Sequence, residues 1–174
     1  MKRCGTAAAF LFMMPGPKMM WEFGEMGYDI SIQSKEGTDE LSSSYEGETK
    51  PPHWEFLEVP ERKNLFETYC KLLNFREQYA HVISDGEFVG NVDETDWPIR
   101  RIEITHPDLH FVLVGNFGTA TNICIPNLNN GEDWYDFMTG KSETGGPFSL
   151  PAGEFRPVSY THLRAHEPEL HLVC

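Results

Sequence analysis

Residues 7–29, AAAFLFMMPGPKMMWEFGEMGYD, set the strongest constraint on what this chain can fold into. Two apolar runs are split by Pro15, Gly16 and Pro17, and the second runs into a cluster of aromatic, acidic and glycine residues. Ala7, Ala8 and Ala9 favour helix, and Pro15 and Gly16 stop it, so residues 4–14 read as the last turns of a helix. Residues 18–23 read as one short apolar strand, with a turn at Gly24, Glu25, Met26 and Gly27. A strand buried on both faces needs neighbours in a sheet. No other strand of that kind lies nearby, so the chain carries an element whose partners it does not visibly supply.

Residues 33–52 are polar and rich in Gly, Ser and Glu without periodicity, which predicts a long surface loop. Residues 60–80 predict the clearest helix. Leu65, Tyr69, Leu72, Leu73, Arg76 and Tyr79 recur at spacings of three and four, and Pro60 and Glu61 suit the first turn. Beyond about residue 82, short strand-like segments (99–105, 109–116, 119–125, 133–138, 148–150 and 154–158) alternate with turn signals such as His106-Pro107-Asp108 and Asn116-Phe117-Gly118. This spacing predicts a small antiparallel sandwich. The expected division is residues 1–82, residues 83–158 and a tail of residues 159–174.

The formal charge is −13, from 27 acidic residues against 14 Lys plus Arg. Such a field repels nucleic-acid phosphates and anionic lipid, so neither partner is expected. No apolar run approaches the roughly 18 residues of a membrane span, and residues 2–14 lack the pattern of a signal peptide. Cys4, Cys70, Cys124 and Cys174 form no zinc or redox motif and read as free thiols.

Trp21, Glu22, Glu25, Tyr28 and Asp29 combine rings that stack on sugar faces with carboxylates that accept from hydroxyls. At the C-terminal end of a barrel strand such a cluster would line an active site. Equally, it reads as a packed strand whose loop carboxylates bond the backbone. Glycoside hydrolysis needs two carboxyl groups facing the scissile bond, and nothing sets the separation of Glu22 from Glu25, so no catalytic pair is assigned. The segment containing Pro52, His53, Trp54 and Glu55 reads as a rigid loop with Trp54 as its plug. Trp134 and Tyr135 are candidates for a sugar platform, although their alternation with Asp136, Phe137 and Met138 also fits a strand with one buried face.

The ordered set FLFMMPGPKMMWEFGEMGYDISI, KPPHWEF and ERKNLFETYCKLLNFRE closely resembles the end of the catalytic domain of the alpha-amylase family of glycoside hydrolases, family 13. VLVGNFG, EDWYDFMTG and SLPAGEFRP resemble that family's C-terminal β-sandwich. The resemblance covers about residues 5–157. It implies an α+β fragment: the last strand (residues 18–23) and helices of a (β/α)8 barrel, followed by a small antiparallel β-sandwich. It implies a parent acting on alpha-glucan such as starch by hydrolysing alpha-1,4-glucosidic bonds. The family's three catalytic acids, after strands four, five and seven, have no counterpart here, so this chain alone is expected to be inactive. Gly24, Glu25, Met26 and Gly27 match the family's loop at the rim of the sugar cleft. Calcium belongs to intact family members, but no ligand for it is implied here, and no cofactor is expected. The alternative reading is a standalone carbohydrate-binding or structural β-sandwich module.

The tail, SYTHLRAHEPELHLVC, resembles translated sequencing-adapter read-through, and is expected to be non-native or disordered, with Met1 an internal start of a truncated gene. His162 and His166 are four residues apart, but no Glu stands between them in the HExxH order, so no metal site is assigned to them or to His171.

Overall fold

The computed structural model describes residues 1–35, 38, 40–46, 52–91, 98–128 and 133–160. It is a mixed α+β structure. Helices α1 (Lys2–Met13), α2 (Pro60–Gln78) and α3 (Ala80–Asp85) precede strands β1 (Glu87–Asn91), β2 (Ile99–His106), β3 (Leu109–Asn116), β4 (Asn122–Cys124), β5 (Trp134–Asp136), β6 (Ser142–Glu143), β7 (Phe148–Leu150) and β8 (Phe155–Tyr160). One antiparallel sheet has the order β1-β2-β3-β8-β5-β6, and a second pairs β4 with β7; both are open.

β3 organises the molecule. Its run LHFVLVGN is buried on both faces, because successive side chains point to opposite sides of the sheet. Phe111 and Leu113 join a core with Ala8, Phe12, Leu72, Phe75 and Ile83, which the three helices supply. Val112 and Val114 join a second core with Cys124, Trp134, Leu150 and Val158. The chain is therefore layered as helices, six-stranded sheet and two-stranded sheet. The first core crosses the division expected near residue 82.

α1 stops where the sequence predicts. Met14, which precedes Pro15, is extended (φ −75°, ψ 147°), as the proline ring requires. Arg76 of α2 holds this end, donating to the Phe12 carbonyl in the last turn and, just past it, to those of Met14 at 3.0 Å and Gly16 at 2.8 Å. α1 crosses β3 at Gly115, where an added Cβ would lie 2.5 Å from the Phe10 ring and 2.9 Å from Thr6. Thr6, fully buried, donates to the Gly153 carbonyl at 2.7 Å and ties α1 to the turn before β8.

Several expectations need correction. Residues 18–23 form no strand and pair with no strand among the described residues; Met19 is 78% exposed and Trp21 66%. Backbone that finds no neighbour gains no ladder bonds, and apolar content alone cannot make a strand. On α2 the expected Leu65 and Leu72 are buried and Tyr69 and Tyr79 pack partly buried against the core, whereas Leu73 is exposed; Cys70 and Phe75 are buried members that were not expected. Cys70 is disulfide-bonded rather than free, whereas Cys4 and Cys124 are free thiols; Cys174 lies outside the described residues. Burial raises the Cys124 pKa to about 11 against the opposing charge of Arg156, so this thiol stays protonated at neutral pH. α3, β1 and β6 were not expected. β8 runs on to Tyr160, two residues into the expected tail. His162, His166 and His171 lie outside the described residues, among which no helix is long and apolar enough to cross a membrane.

Glu103 of β2 sits between Arg101, whose Nη1 donates to Oε2 at 2.8 Å, and His110 of β3, whose Nε2 donates to Oε1. Burial works to raise its pKa, but these two hydrogen bonds and the charges behind them outweigh burial and lower it. A lowered carboxyl pKa stabilises the folded state fully above the unfolded value, here 4.5, and the contribution is lost as pH falls through the folded one. The urea midpoint should therefore drop as pH falls below about 4.5, and Glu103→Gln should flatten that dependence. An unchanged profile in the variant would remove Glu103 as its source.

Candidate functional site

The residues flagged at 21–29 assemble around a left-handed turn. Phe23 adopts φ 54°, unusual for a bulky side chain, and leads into a 3-10 turn at Gly24–Met26 closed by Gly27 at φ 68°. Phe23 pays for that backbone, in enthalpic terms, by burial: it is 8% exposed and packs edge-on against Trp54 at 5.0 Å. Tyr28 lies 5.8 Å from His53 and 6.2 Å from Phe56, and His53 stacks on Phe56 at 4.9 Å. Five rings from two distant segments thus form one cluster.

Arg62 in the first turn of α2 holds the cluster to the helix. Its guanidinium stacks 4.0 Å over Phe56, donates to the carbonyls of Met26 and Gly27, and pairs with Asp29 at 2.9 Å. The side chain is only 14% exposed, so this planar fork serves packing and hydrogen bonding together. Beside it, Glu55 accepts from His53 Nδ1 at 2.6 Å, and this hydrogen bond lowers the exposed Glu55 carboxyl pKa.

Of the flagged residues, Tyr28 and Asp29 enter this cluster. Trp21 and Glu22 stand exposed before it. Glu25 is half-buried in the 3-10 turn; burial raises the Tyr69 hydroxyl pKa, and the charges of Cys4 and Glu25 add to the effect. Trp54 is no plug, being 63% exposed; His53 and Phe56 take that place. The loop carrying His53 and Trp54 does pack here, while Phe56 and Arg62 were not singled out as members; for Phe56 only its nearness to Trp54 in sequence is a signal.

In β5, Trp134 is 1% exposed and packs against His110 and Tyr160, so its ring offers no face to a sugar; Tyr135, on the opposite side of the strand, is the exposed member. A groove of about 340 Å³ lies elsewhere, between α1, α2 and the turn before β8, lined by Lys2, Glu61, Asn64, Thr68 and Glu154 among others. None of the flagged residues lines it. Exposed Met19, Met20 and Trp21 precede this aromatic cluster in the chain.

No protein-family model matches the sequence, and no curated protein matches it. Solved structures do match in fold. A structure of AmyP in complex with maltose superposes with a TM-score of 0.67 at 14% identity, covering 93% of this chain and 35% of that one. An Anoxybacillus alpha-amylase gives a TM-score of 0.65 at 13% identity over 92% of this chain and 32% of its own. The trehalose-6-phosphate hydrolase of Bacillus licheniformis gives 0.65 at 16% identity over 92% and 39%. The chain spans about a third of the length of these structures, and what it shares with them is their fold.

Proposed function

We propose that this chain is the C-terminal part of an alpha-amylase-family glycoside hydrolase that acts on alpha-glucan. In this reading residues 1–82 end a (β/α)8 catalytic barrel and residues 83–158 form its C-terminal all-β sandwich. The parent hydrolyses alpha-1,4-glucosidic bonds, and the chain by itself is inactive. One observation carries the reading: more than nine-tenths of the chain matches about a third of amylase-type structures. The unpaired segment at residues 18–23 fits the same picture, since its exposed Met19, Met20 and Trp21 are the side chains a preceding barrel strand would cover. Trp21, Glu22, Glu25, Tyr28 and Asp29 then stand at the rim of the sugar cleft, where they bind and shape rather than catalyse.

The genomic sequence upstream of codon 1 tests the reading. It should continue the frame through seven further strands and three acidic residues at their ends; an in-frame stop directly upstream would overturn it. The purified 174-residue chain should show no turnover of starch. Turnover that disappears on Glu25→Gln would refute inactivity. Saturable binding of maltooligosaccharides lost on Tyr135→Ala would instead favour a binding module.

A further inference from the structure

A second cluster lies where α3 meets the β2–β3 turn. His81 stands in α3, His106 ends β2, and Asp108 follows it in the two-residue connection to β3. α3 packs on β2, which brings together three residues whose ends are 27 positions apart in sequence. Asp108 Oδ2 lies 3.1 Å from His81 Nε2 and 3.7 Å from His106 Nδ1. The two imidazole rings meet edge-on with centroids 5.4 Å apart. One ligand atom from each residue falls within 4.8 Å of the other two.

We propose that His81, His106 and Asp108 bind a divalent transition-metal ion, with zinc as the expected occupant. Two imidazoles and a carboxylate are a borderline nitrogen and oxygen donor set, which suits Zn²⁺ and disfavours Mg²⁺ or Ca²⁺. Bonds of about 2.0–2.1 Å in a tetrahedron place neighbouring ligand atoms about 3.3 Å apart. Both separations at Asp108 lie within a few tenths of an ångström of that. Two imidazoles on one tetrahedral ion have ring centres about 5 Å apart, close to the spacing found. The net charge of −13 favours cation capture. Three protein ligands leave a fourth position for water, because His81 and Asp108 are open to solvent. The backbone N–H of Asp108 donates to His106 Nδ1 at 3.1 Å. That bond seats the ring over the turn, and the ion must displace it, which limits affinity. The bland alternative is a pair of surface histidines around one carboxylate, which contributes little.

The test is zinc titration of the full chain by calorimetry after chelator treatment, in a background where His162, His166 and His171 are each replaced by Ala. One equivalent should bind. His81→Ala, His106→Ala and Asp108→Asn should each weaken that event roughly tenfold or more, while His110→Ala should leave it unchanged. Thermal denaturation gives a second readout, since an ion bridging α3 to the β2–β3 turn raises the midpoint, and Asp108→Asn should abolish the rise. A background protein that takes up no zinc, or takes it up equally after His81→Ala, overturns the proposal. None of these readouts depends on glycosidase activity, so the outcome is independent of the proposed function.

Discussion

Phe75→Ala should destabilise the protein by about 3–5 kcal/mol, the usual range for deleting a fully buried aromatic. Phe75 is 2% exposed at the meeting point of the helices and the sheet. Its ring lies 5.0 Å from Phe111 of β3, 4.4 Å from Phe137 after β5 and 4.8 Å from Tyr79 at the end of α2. Each such aromatic pair contributes about 0.5–1.5 kcal/mol beyond area burial, and a cavity lined by three rings collapses poorly. Against a total stability of about 5–15 kcal/mol, the loss is large. Leu73→Ala, two residues away and 36% exposed, should cost under about 1 kcal/mol. Far-UV and near-UV circular dichroism in urea should show both signals moving together, because one core joins α1, α2 and α3 to β2 and β3. A helical signal that melts early while the near-UV signal holds would show instead that the sheet folds without the helices.

The parts of this fold that were legible in sequence are those whose signal is local. β3 occupies the expected residues because an apolar run bounded by turn residues is a pattern one strand carries alone, and β7 because Phe-Ser-Leu alternates between the turn signals at Gly145-Gly146-Pro147 and Pro151. α2 begins at Pro60 for the same reason. Residues 18–23 have equally strong apolar content, yet strand formation there depends on neighbours that the chain does not place beside them. β1, EFVGN, was invisible because a glutamate and a glycine dilute its alternation; pairing with β2 in register, Phe88 opposite Ile104, creates it. α3 is only 6 residues long and follows a break at Tyr79, where φ is −112°, so no helical period has room to develop. The site follows the same rule. Residues 21–29 and 53–56 were each conspicuous, but their joining depends on Arg62, a charged residue in the first turn of a helix that sequence reads as solvated. His106-Pro107-Asp108 read only as a turn, because His81, which completes the cluster, is contributed by a helix that was not expected.

Asn116 shows how far a turn residue can exceed its sequence reading, and its replacement should have the second large effect. The Asn116-Phe117-Gly118 signal marks the end of β3, and the structure buries the Asn116 side chain completely. Nδ2 donates to the carbonyls of Ala120 at 2.9 Å and Leu150 at 2.8 Å, while Oδ1 accepts from the backbone N–H of Gly118 at 2.9 Å. The Asn116 backbone bonds Glu154 and Gly153 at 2.9 Å each. One residue thus ties β3, the 118–120 turn, β7 and the turn before β8. Asn116→Ala leaves several buried groups without partners, each costing about 1–3 kcal/mol, so a total near 3 kcal/mol is expected. Asn116→Asp keeps the shape but replaces that donor with an acceptor oxygen facing two carbonyls and buries a charge, which should be worse at neutral pH. Its sign with pH is opposite to that of Glu103. The introduced carboxyl has its folded pKa raised above the unfolded value, so the variant should regain stability as pH falls and lose it as pH rises. Urea midpoints of both variants at neutral and mildly acidic pH check this. An Asn116→Asp protein as stable as the parent at neutral pH would mean that the carboxamide donor is not what holds these turns together.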